Sequence, residues 1–448
     1  MAGDLRLQPG VRLLHIGPHK TGTTAVQGAF HLARERLADQ GVVYAWPGRQ
    51  ALLPALAVTG RPPLLGGPQP GMADWDRLVR EVCAAGDQRV VVSSEFFADA
   101  TERVIGRVTE ELGGPRVHVV VTLRALARLL PSQWQQYLQN GLRMPYLEWL
   151  EGTLAEPPRT PTPNFWYRHR HDKLVARWAQ AVGAQSVTVI MVNESDRMAL
   201  LRAFESLLGL PGGFLIPEEG VQNRSLTLGE AELVRLLNEE FKRQEWPGSR
   251  YSKFMRYGAV EQLKEARQPA ADEPKIATPR WALERAAEIG AETAENISAL
   301  GVRIIGDIST LGSLSSGLPE LTADSRPAEP LIPAGAAAQA VIGAFLAGGA
   351  GGQTTEAATC EVTAAHLAAE IVRRGGRRAL RSLHLSRDGD RAQSSPAGPR
   401  SLLDLEAGRP AAPPPIPVQS AQVPSPRLVP DEDHGGLGPV TTSRSGAV

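Results

Sequence analysis

Short apolar runs alternate with stretches of helical periodicity between residues 11 and 311. The apolar runs predict strands at residues 11–16, 89–93, 117–123, 186–192 and 302–308. Helical spacing predicts helices at residues 24–37, 75–85, 126–140, 165–182 and 198–208, followed by 228–244, 260–266 and 281–298. Strands separated by helices pair in parallel, and apolar runs without alternation are covered on both faces. The pattern therefore predicts an α/β fold, a three-layer domain with a central parallel sheet.

The pattern changes after about residue 312. Residues 313–352 are rich in Gly, Ser, Ala and Pro, and residues 358–385 contain one candidate helix interrupted by Gly375-Gly376. From residue 386 onward, proline runs and few aromatic residues predict disorder. We therefore expect an α/β domain over residues 1–312, a poorly defined Ala/Gly-rich region over residues 313–385, and a disordered low-complexity tail over residues 386–448.

Composition narrows the function classes. The 448 residues carry 48 basic and 48 acidic side chains, and this balance argues against a nucleic-acid partner or a polybasic membrane binder. Two cysteines, Cys83 and Cys360, provide no disulfide framework and no Cys-based zinc site. No segment reads as a secretory peptide or a membrane span. We expect a cytoplasmic protein, whose oligomeric state the sequence does not predict.

A candidate anion-binding loop, residues 17–24, follows the first predicted strand and opens the first helix. Its sequence is Gly-Pro-His-Lys-Thr-Gly-Thr-Thr. Gly17 and Gly22 permit a tight turn, Lys20 adds a positive charge, and the hydroxyls of Thr23 and Thr24 join the free amides of the helix N-terminus. The lysine precedes the last glycine, so the loop is not a Walker A motif and bound MgATP is not the first interpretation. The structural alternative is an ordinary strand-to-helix turn.

Polar residues also follow two other predicted strands. Glu95 comes after residues 89–93, Arg124 closes residues 117–123, and Ser132 lies eight residues further on. Ligands of open parallel sheets bind beyond the carboxyl ends of the strands, and an arginine with a hydroxyl near a helix start can hold a phosphate. The alternatives are that Glu95 caps a helix, that Arg124 forms a structural ion pair, and that Ser132 is an ordinary helix-start residue.

Together these motifs resemble the sulfotransferase superfamily, over residues 11–312. The core Lys20-Thr21-Gly22-Thr23-Thr24 resembles the family's phosphosulfate loop, and the pair of Arg124 and Ser132 resembles its 3′-phosphate motif, with Trp134 close behind. More narrowly, the chain is similar to bacterial sulfotransferase-like proteins with an H-K-T-G-T-T loop. The resemblance implies a P-loop-like fold and the sulfuryl donor 3′-phosphoadenosine 5′-phosphosulfate (PAPS), with no metal.

The resemblance also implies roles for individual residues. Lys20 stabilises charge on the bridging oxygen of the donor, and Arg124 with Ser132 holds its 3′-phosphate. The 5′-phosphate is held by the loop, namely His19, Lys20, Thr21, Gly22, Thr23 and Thr24. Glu95 is the candidate general base, because no histidine lies at the end of its strand, and His19 is the second choice. The pair His169 and His171 has the H-x-H spacing of metal ligands but no third ligand nearby in the sequence.

The sequence thus predicts a PAPS-dependent sulfotransferase, acting on a hydroxyl or amine of a small-molecule, carbohydrate or lipid acceptor. The acceptor itself is not identified; residues 46–73 and 142–165 are the loops expected to form its pocket. Two alternatives stay open. One is a P-loop kinase or NTPase, which requires an aspartate for magnesium at a strand end, and the other is a non-catalytic PAPS-binding adaptor.

Overall fold

The computed structural model of the chain describes residues 5–63, 68–159, 162, 164–218, 224–314, 317–321 and 331–349. The candidate helix at 358–385 and the tail at 386–448 lie outside the described residues.

A six-stranded parallel sheet forms the centre of the molecule, in the order β2-β3-β1-β4-β5-β7. Its strands are β1 (Arg12–His15), β2 (Val42–Tyr44), β3 (Arg89–Ser93), β4 (Val117–Leu123), β5 (Val187–Met191) and β7 (Arg303–Ile305). The parallel central sheet and its five predicted strands are confirmed. The edge strand β2 was not predicted, because three residues give too short an apolar run to separate from a loop.

Alternate side chains of the strands enter two different cores. On β4, Val119 and Val121 face one core, whereas Val120 faces the other, and Leu14 and Leu13 of β1 divide in the same way. Apolar side chains therefore cover both faces of the sheet, as the absence of alternation in these runs predicted.

Helices flank the sheet and extend beyond it. They are α1 (Thr23–Leu32), α2 (Arg34–Ala38), α3 (Leu52–Val58), α4 (Met72–Ala84), α5 (Glu102–Leu112), α6 (Leu126–Leu138), α7 (Tyr146–Leu154), α8 (Asn164–His169), α9 (His171–Val182), α10 (Ala199–Leu208), α11 (Leu228–Arg243), α12 (Gly248–Arg250), α13 (Glu261–Glu265), α14 (Arg280–Ala299) and α15 (Ala334–Gly349). The sequence did not predict α3, α5, α7, α12 or α15. It also joined α8 to α9, which the non-helical backbone of Arg170 separates.

A third core lies among α6, α7, α8, α11, α13, α14 and α15. A π-helix, Tyr251–Val260, leads into α13 and packs against α15. The backbones approach closely here, since a Cβ on Gly343 would lie 2.4 Å from the carbonyl oxygen of Gly258. Residues beyond 312 thus contribute to this core, and β8 (Glu320–Leu321) pairs with β6 (Thr278–Pro279). Within the described residues, every helix is too short or too polar to cross a membrane.

Candidate functional site

The predicted anion loop leaves the carboxyl end of β1 and enters α1. It turns through three residues with positive φ, Gly17 (80°), Lys20 (67°) and Gly22 (87°). For a lysine this left-handed conformation costs about 1–2 kcal/mol, so the surrounding contacts must hold it. A Cβ on Gly17 would lie 2.8 Å from the Cβ of Glu95, which means that only glycine lets the loop lie directly against β3's end.

Buried side chains under the loop hold its shape. The Thr21 hydroxyl donates to the carbonyl oxygen of Pro18 (2.6 Å) and lies 2.8 Å from the hydroxyl of Thr122. His15 joins the same network, with Nε2 3.3 Å from Thr122 Oγ1 and Nδ1 2.8 Å from Ser93 Oγ. Thr21 has no exposed surface, so its hydroxyl serves the loop itself. The backbone amide of Thr21 is the group of this residue that is left for an anion.

The start of α1 supplies the donors of the loop. The amides of Ala25 and Val26 donate back to the carbonyl oxygen of Gly22. The amides of Thr23 and Thr24 precede them at the helix end, where backbone N–H groups have no partner within the helix. The Thr24 side chain is exposed, whereas that of Thr23 is buried. Both amides and the Thr24 hydroxyl are thus available to an anion.

The charge of Lys20 is strongly influenced by its surroundings. Burial lowers its pKa to about 8, and the positive charges of Lys264 and Arg124 act in the same direction, while the carboxylate of Glu95 raises it. These electrostatic effects require the groups to be near one another. Three residues predicted from separate parts of the sequence, Lys20, Glu95 and Arg124, therefore lie near enough for Glu95 and Arg124 to influence the charge of Lys20.

Glu95 begins a short 3₁₀-helix, Glu95–Asp99, immediately after β3. Its carboxylate does not cap a helix, because Ser94 caps the 3₁₀-helix and Thr101 caps α5. Gln27 of α1 instead donates from Nε2 to Glu95 Oε2 at 3.0 Å. One carboxylate oxygen is held in place, and Oε1 is left to accept a proton.

Arg124 follows β4 and forms a two-point ion pair with Glu194, at 2.5 Å from Nε and 2.9 Å from the terminal nitrogen. The ion pair was one of the two interpretations of this residue. A guanidinium has five N–H donors, so about three remain for another ligand. Arg124 borders a cavity of about 340 Å³, which is also lined by Arg128, Asn193, Asp307 and Thr310.

Ser132 lies apart from this cavity. It is the seventh residue of α6, so it sits almost two turns from the helix start, with Pro131 inside the helix before it. It is not among the residues that line the cavity around Arg124. The helix begins at Leu126, as predicted, so Ser132 lies within α6 rather than at its first turn.

His19 is a neutral residue of the loop. Burial lowers its pKa well below 6.5, and the charges of Arg168, His169, Lys20 and Arg61 add to the effect. Its ring packs edge-on against Phe96, with 5.0 Å between centroids, and its Nε2 has no hydrogen-bond partner among the described residues. His19 therefore offers one donor and one acceptor rather than a positive charge.

Sequence reasoning missed Lys264. This residue lies on α13, directly after the π-helix, about 240 positions from Lys20. Burial lowers its pKa, and the nearby charges of Arg224 and Arg256 lower it further. Arg224, which the sequence gave no role, is bound to both carboxylate oxygens of Glu230 at 2.7 Å. No local sequence motif marks Lys264, because its approach to Lys20 depends on the tertiary packing of α13.

The H-x-H pair is buried. The rings of His169 and His171 are 5.8 Å apart between centroids, and both side chains are almost inaccessible. In the part of the chain that the structure describes, no three His, Cys, Asp or Glu side chains are grouped to hold a metal ion.

Compared with known proteins, the chain matches no protein-family model and no curated protein significantly.

Proposed function

We propose that this protein is a PAPS-dependent sulfotransferase with a P-loop-like anion loop. The observation that carries the proposal is the meeting of Lys20, Glu95 and Arg124 at the carboxyl edge of the neighbouring strands β3, β1 and β4. A doubly phosphorylated nucleotide needs two separate cationic contacts, and an acceptor needs a base close to one of them. The three residues provide these groups at neighbouring strand ends.

The cationic groups fit an anionic donor. Lys20 and Lys264 are near enough to lower the pKa of Lys20, so their charges repel when nothing negative lies between them. A phosphosulfate would convert this repulsion into two favourable contacts. The amides of Thr23 and Thr24 at the start of α1 provide backbone donors for a phosphate.

When bound, PAPS supplies the sulfuryl group and leaves as adenosine 3′,5′-bisphosphate. Lys20 Nζ would stabilise the negative charge that develops on the leaving phosphate oxygen. Arg124 would direct its unpaired N–H groups to the 3′-phosphate while Glu194 fixes the plane of its guanidinium. Glu95 Oε1 would take the proton of the acceptor as the acceptor oxygen bonds to sulfur, and Gln27 would keep the carboxylate in position.

The first experiment compares ligands by thermal shift. Adenosine 3′,5′-bisphosphate should stabilise the protein more than AMP or ATP, since only the bisphosphate carries a 3′-phosphate for Arg124. Arg124→Ala should remove the preference for the bisphosphate over AMP. Equal stabilisation by ATP together with magnesium-dependent ATP hydrolysis would support the kinase or NTPase alternative.

The second experiment measures transfer of [³⁵S]sulfate from labelled PAPS to a broad acceptor panel. Lys20→Ala should abolish transfer, whereas Lys173→Ala, which removes an exposed lysine of α9, should retain it. Transfer by Lys20→Ala at the wild-type rate would refute the role of the loop. Tight binding of adenosine 3′,5′-bisphosphate without transfer to any acceptor would favour the adaptor.

A further inference from the structure

His15 is the last residue of β1, and its side chain contacts both neighbouring strands. Its Nδ1 lies 2.8 Å from Ser93 Oγ at the end of β3, and its Nε2 lies 3.3 Å from Thr122 Oγ1 near the end of β4. β1 lies between these two strands in the sheet, and His15 is paired in register with Ser93. One imidazole therefore joins the strand that leads to Glu95 with the strand that leads to Arg124.

On the β4 side, the hydrogen bonds lead from His15 into the anion loop. Thr122 Oγ1 lies 2.8 Å from the Thr21 hydroxyl, which donates to the carbonyl oxygen of Pro18 at 2.6 Å. The amide of Thr122 also donates to the carbonyl oxygen of Gly17 at 3.0 Å. The position of the loop and the position of His15 are thus linked through Thr122.

On the β3 side, the hydrogen bonds lead from His15 to the candidate base. Ser93 Oγ accepts from Gln27 Nε2 at 3.3 Å. The same nitrogen donates to Glu95 Oε2 at 3.0 Å. An amide nitrogen has two hydrogens, so Gln27 can hold both partners together.

These side chains form one buried group, which we call the loop-to-base network: Thr21, Thr122, His15, Ser93 and Gln27. Their exposed fractions lie between 0 and 3%. Water therefore has no access to replace a missing partner, and the loss of one member leaves its neighbours unpaired. The members of such a buried polar network depend on one another.

Glu95 needs support because cations lie near it. Its negative charge acts on both Lys20 and Arg168. Without the hydrogen bond from Gln27, the carboxylate would be free to turn toward either cation and away from an acceptor. The direction of its free oxygen, Oε1, thus depends on Gln27, and Ser93 in turn holds Gln27.

We propose that His15 is a positioning residue, which holds Glu95 in a fixed relation to the anion loop through Ser93 and Gln27. His15 has no exposed surface, so it acts on the base only through these side chains. This role rests on the proposed sulfotransferase function and deepens it, because the loop that binds the donor and the carboxylate that takes the proton then work as one unit.

His15→Phe tests this role in the full-length protein. Phenylalanine keeps an aromatic ring against Phe204, which lies edge-on to His15 at 5.2 Å between centroids, but it removes both hydrogen bonds. The variant should lower kcat for [³⁵S]sulfate transfer about tenfold, because a base that is poorly oriented loses rate. The thermal shift with adenosine 3′,5′-bisphosphate should stay near the wild-type value, since Thr21 keeps its hydrogen bond to Pro18.

The acceptor in this assay is the one on which the wild-type protein is fastest among lactose, 2-naphthol, 1-decanol and benzylamine. Binding of adenosine 3′,5′-bisphosphate by the wild-type protein without transfer to any of the four would refute the proposed function itself. Every outcome below instead compares variants of an active protein and concerns His15 alone.

His15→Gln should recover part of the loss in kcat, because an amide also has one donor and one acceptor. The matched control is His118→Phe, which removes a buried histidine 2.8 Å from Thr188 near the other end of β4 and should keep kcat. Wild-type kcat in His15→Phe overturns the proposal. An equal loss in His15→Gln, or in His118→Phe, also overturns it, because the hydrogen bonds of His15 would then not be the cause.

A double substitution shows whether His15 acts through Gln27. Gln27→Met keeps the length of the side chain but cannot donate to Glu95, and alone it should also lower kcat about tenfold. Adding His15→Phe should cause little further loss, because both changes break the same connection. A loss in the double variant equal to the product of the two single losses would contradict the proposal. Ser93→Ala, a smaller change, breaks the same connection and replaces His15→Phe in this test if that variant does not fold.

Discussion

The hydrogen bonds among the side chains under the loop run in a defined donor-to-acceptor order. Thr21 must donate to Pro18, because a carbonyl only accepts, so Thr122 donates to Thr21 and His15 Nε2 donates to Thr122. His15 Nδ1 is then the acceptor for Ser93. This arrangement requires a neutral His15, and burial lowers the pKa of His15 to about 3.

Gln27 connects this chain to the candidate base. Its Nε2 lies 3.3 Å from Ser93 Oγ and 3.0 Å from Glu95 Oε2. An amide nitrogen has two hydrogens, so it can donate to both at once. The side chains that shape the loop thus also orient the carboxylate.

Glu95→Gln should lower turnover about 10²–10⁴-fold, because the amide has almost the same shape but cannot take a proton at neutral pH. Binding of adenosine 3′,5′-bisphosphate should stay near the wild-type level. The measurement is kcat for sulfate transfer beside a binding isotherm. Glu102→Gln, on the exposed first turn of α5, is the control that should keep full activity. Unchanged turnover in Glu95→Gln would mean that another group accepts the proton.

The lowered pKa of Lys20 predicts that nucleotide binding depends on pH. Its pKa of about 8 means that it is charged below this pH and becomes neutral above it. Binding of adenosine 3′,5′-bisphosphate should therefore weaken as pH rises from 7 to 9, by up to about tenfold per pH unit above 8. Isothermal titration at a series of pH values measures this. In Lys20→Ala the decline over this range should be absent; a decline of the same size there would assign it to another group.

At the level of elements, glycine decides how closely the loop approaches β3. Gly17→Ala would place a methyl group 2.8 Å from Glu95 Cβ at a φ of 80°, whereas Gly41→Ala meets no atom within 4 Å at a φ of 66°. Both substitutions should destabilise the fold by about 1–2 kcal/mol through backbone strain, and Gly17→Ala should cost more because its methyl group also meets the Cβ and Cα of Glu95. Only Gly17→Ala should also displace Glu95 and reduce sulfate transfer, at least tenfold. Urea denaturation and the transfer assay separate the two effects. Equal activity of both variants would contradict the close contact.

Elements with a long apolar run could be predicted from the sequence. The bounds of β3 and β4 match the predicted strands. Their five and seven consecutive buried residues, respectively, are typical of strands that are covered on both faces. The amphipathic α5 was missed, although Thr101 caps it and Gly113 follows it. The edge strand β2 was missed because a three-residue strand depends on its neighbour for stability.

Only the part of the candidate site that lies in one continuous segment could be located from the sequence. The anion loop lies within eight consecutive residues, so its position followed from the strand before it and the helix after it. The ion pair of Arg124 with Glu194 and the approach of Lys264 to Lys20 join segments 70 or more residues apart. Such pairings depend on tertiary packing, for which a single sequence gives no periodic signal.

At the level of the whole molecule, the candidate site lies at the ends of central strands of the sheet. The strands β3, β1 and β4 are the second, third and fourth of the six, and both sheet cores pack against them. The α13 helix, which belongs to the third core, adds Lys264 near Lys20. A site built on central strands keeps its geometry better than one on loops alone.

Buried neutral histidines make the whole fold sensitive to acid. Five of them have lowered pKa values: His15 at about 3, His118 and His171 at about 4, and His19 and His169 well below 6.5, all because of burial. In the unfolded chain each takes up a proton near pH 6.5, so the unfolded state binds more protons below that pH. The free energy of unfolding should be largest above pH 6.5 and fall as pH decreases toward 4.

The expected slope below pH 6.5 is about 1.4 kcal/mol per pH unit for each histidine that stays neutral in the fold. Urea denaturation at pH 7.5, 6.5 and 5.5 measures it. His118→Gln should make the slope shallower by about one proton, since it removes one titrating ring far from the loop while an amide can still reach Thr188. Stability that is constant between pH 7.5 and 5.5, or a slope unchanged in His118→Gln, would mean that these rings take up protons without unfolding.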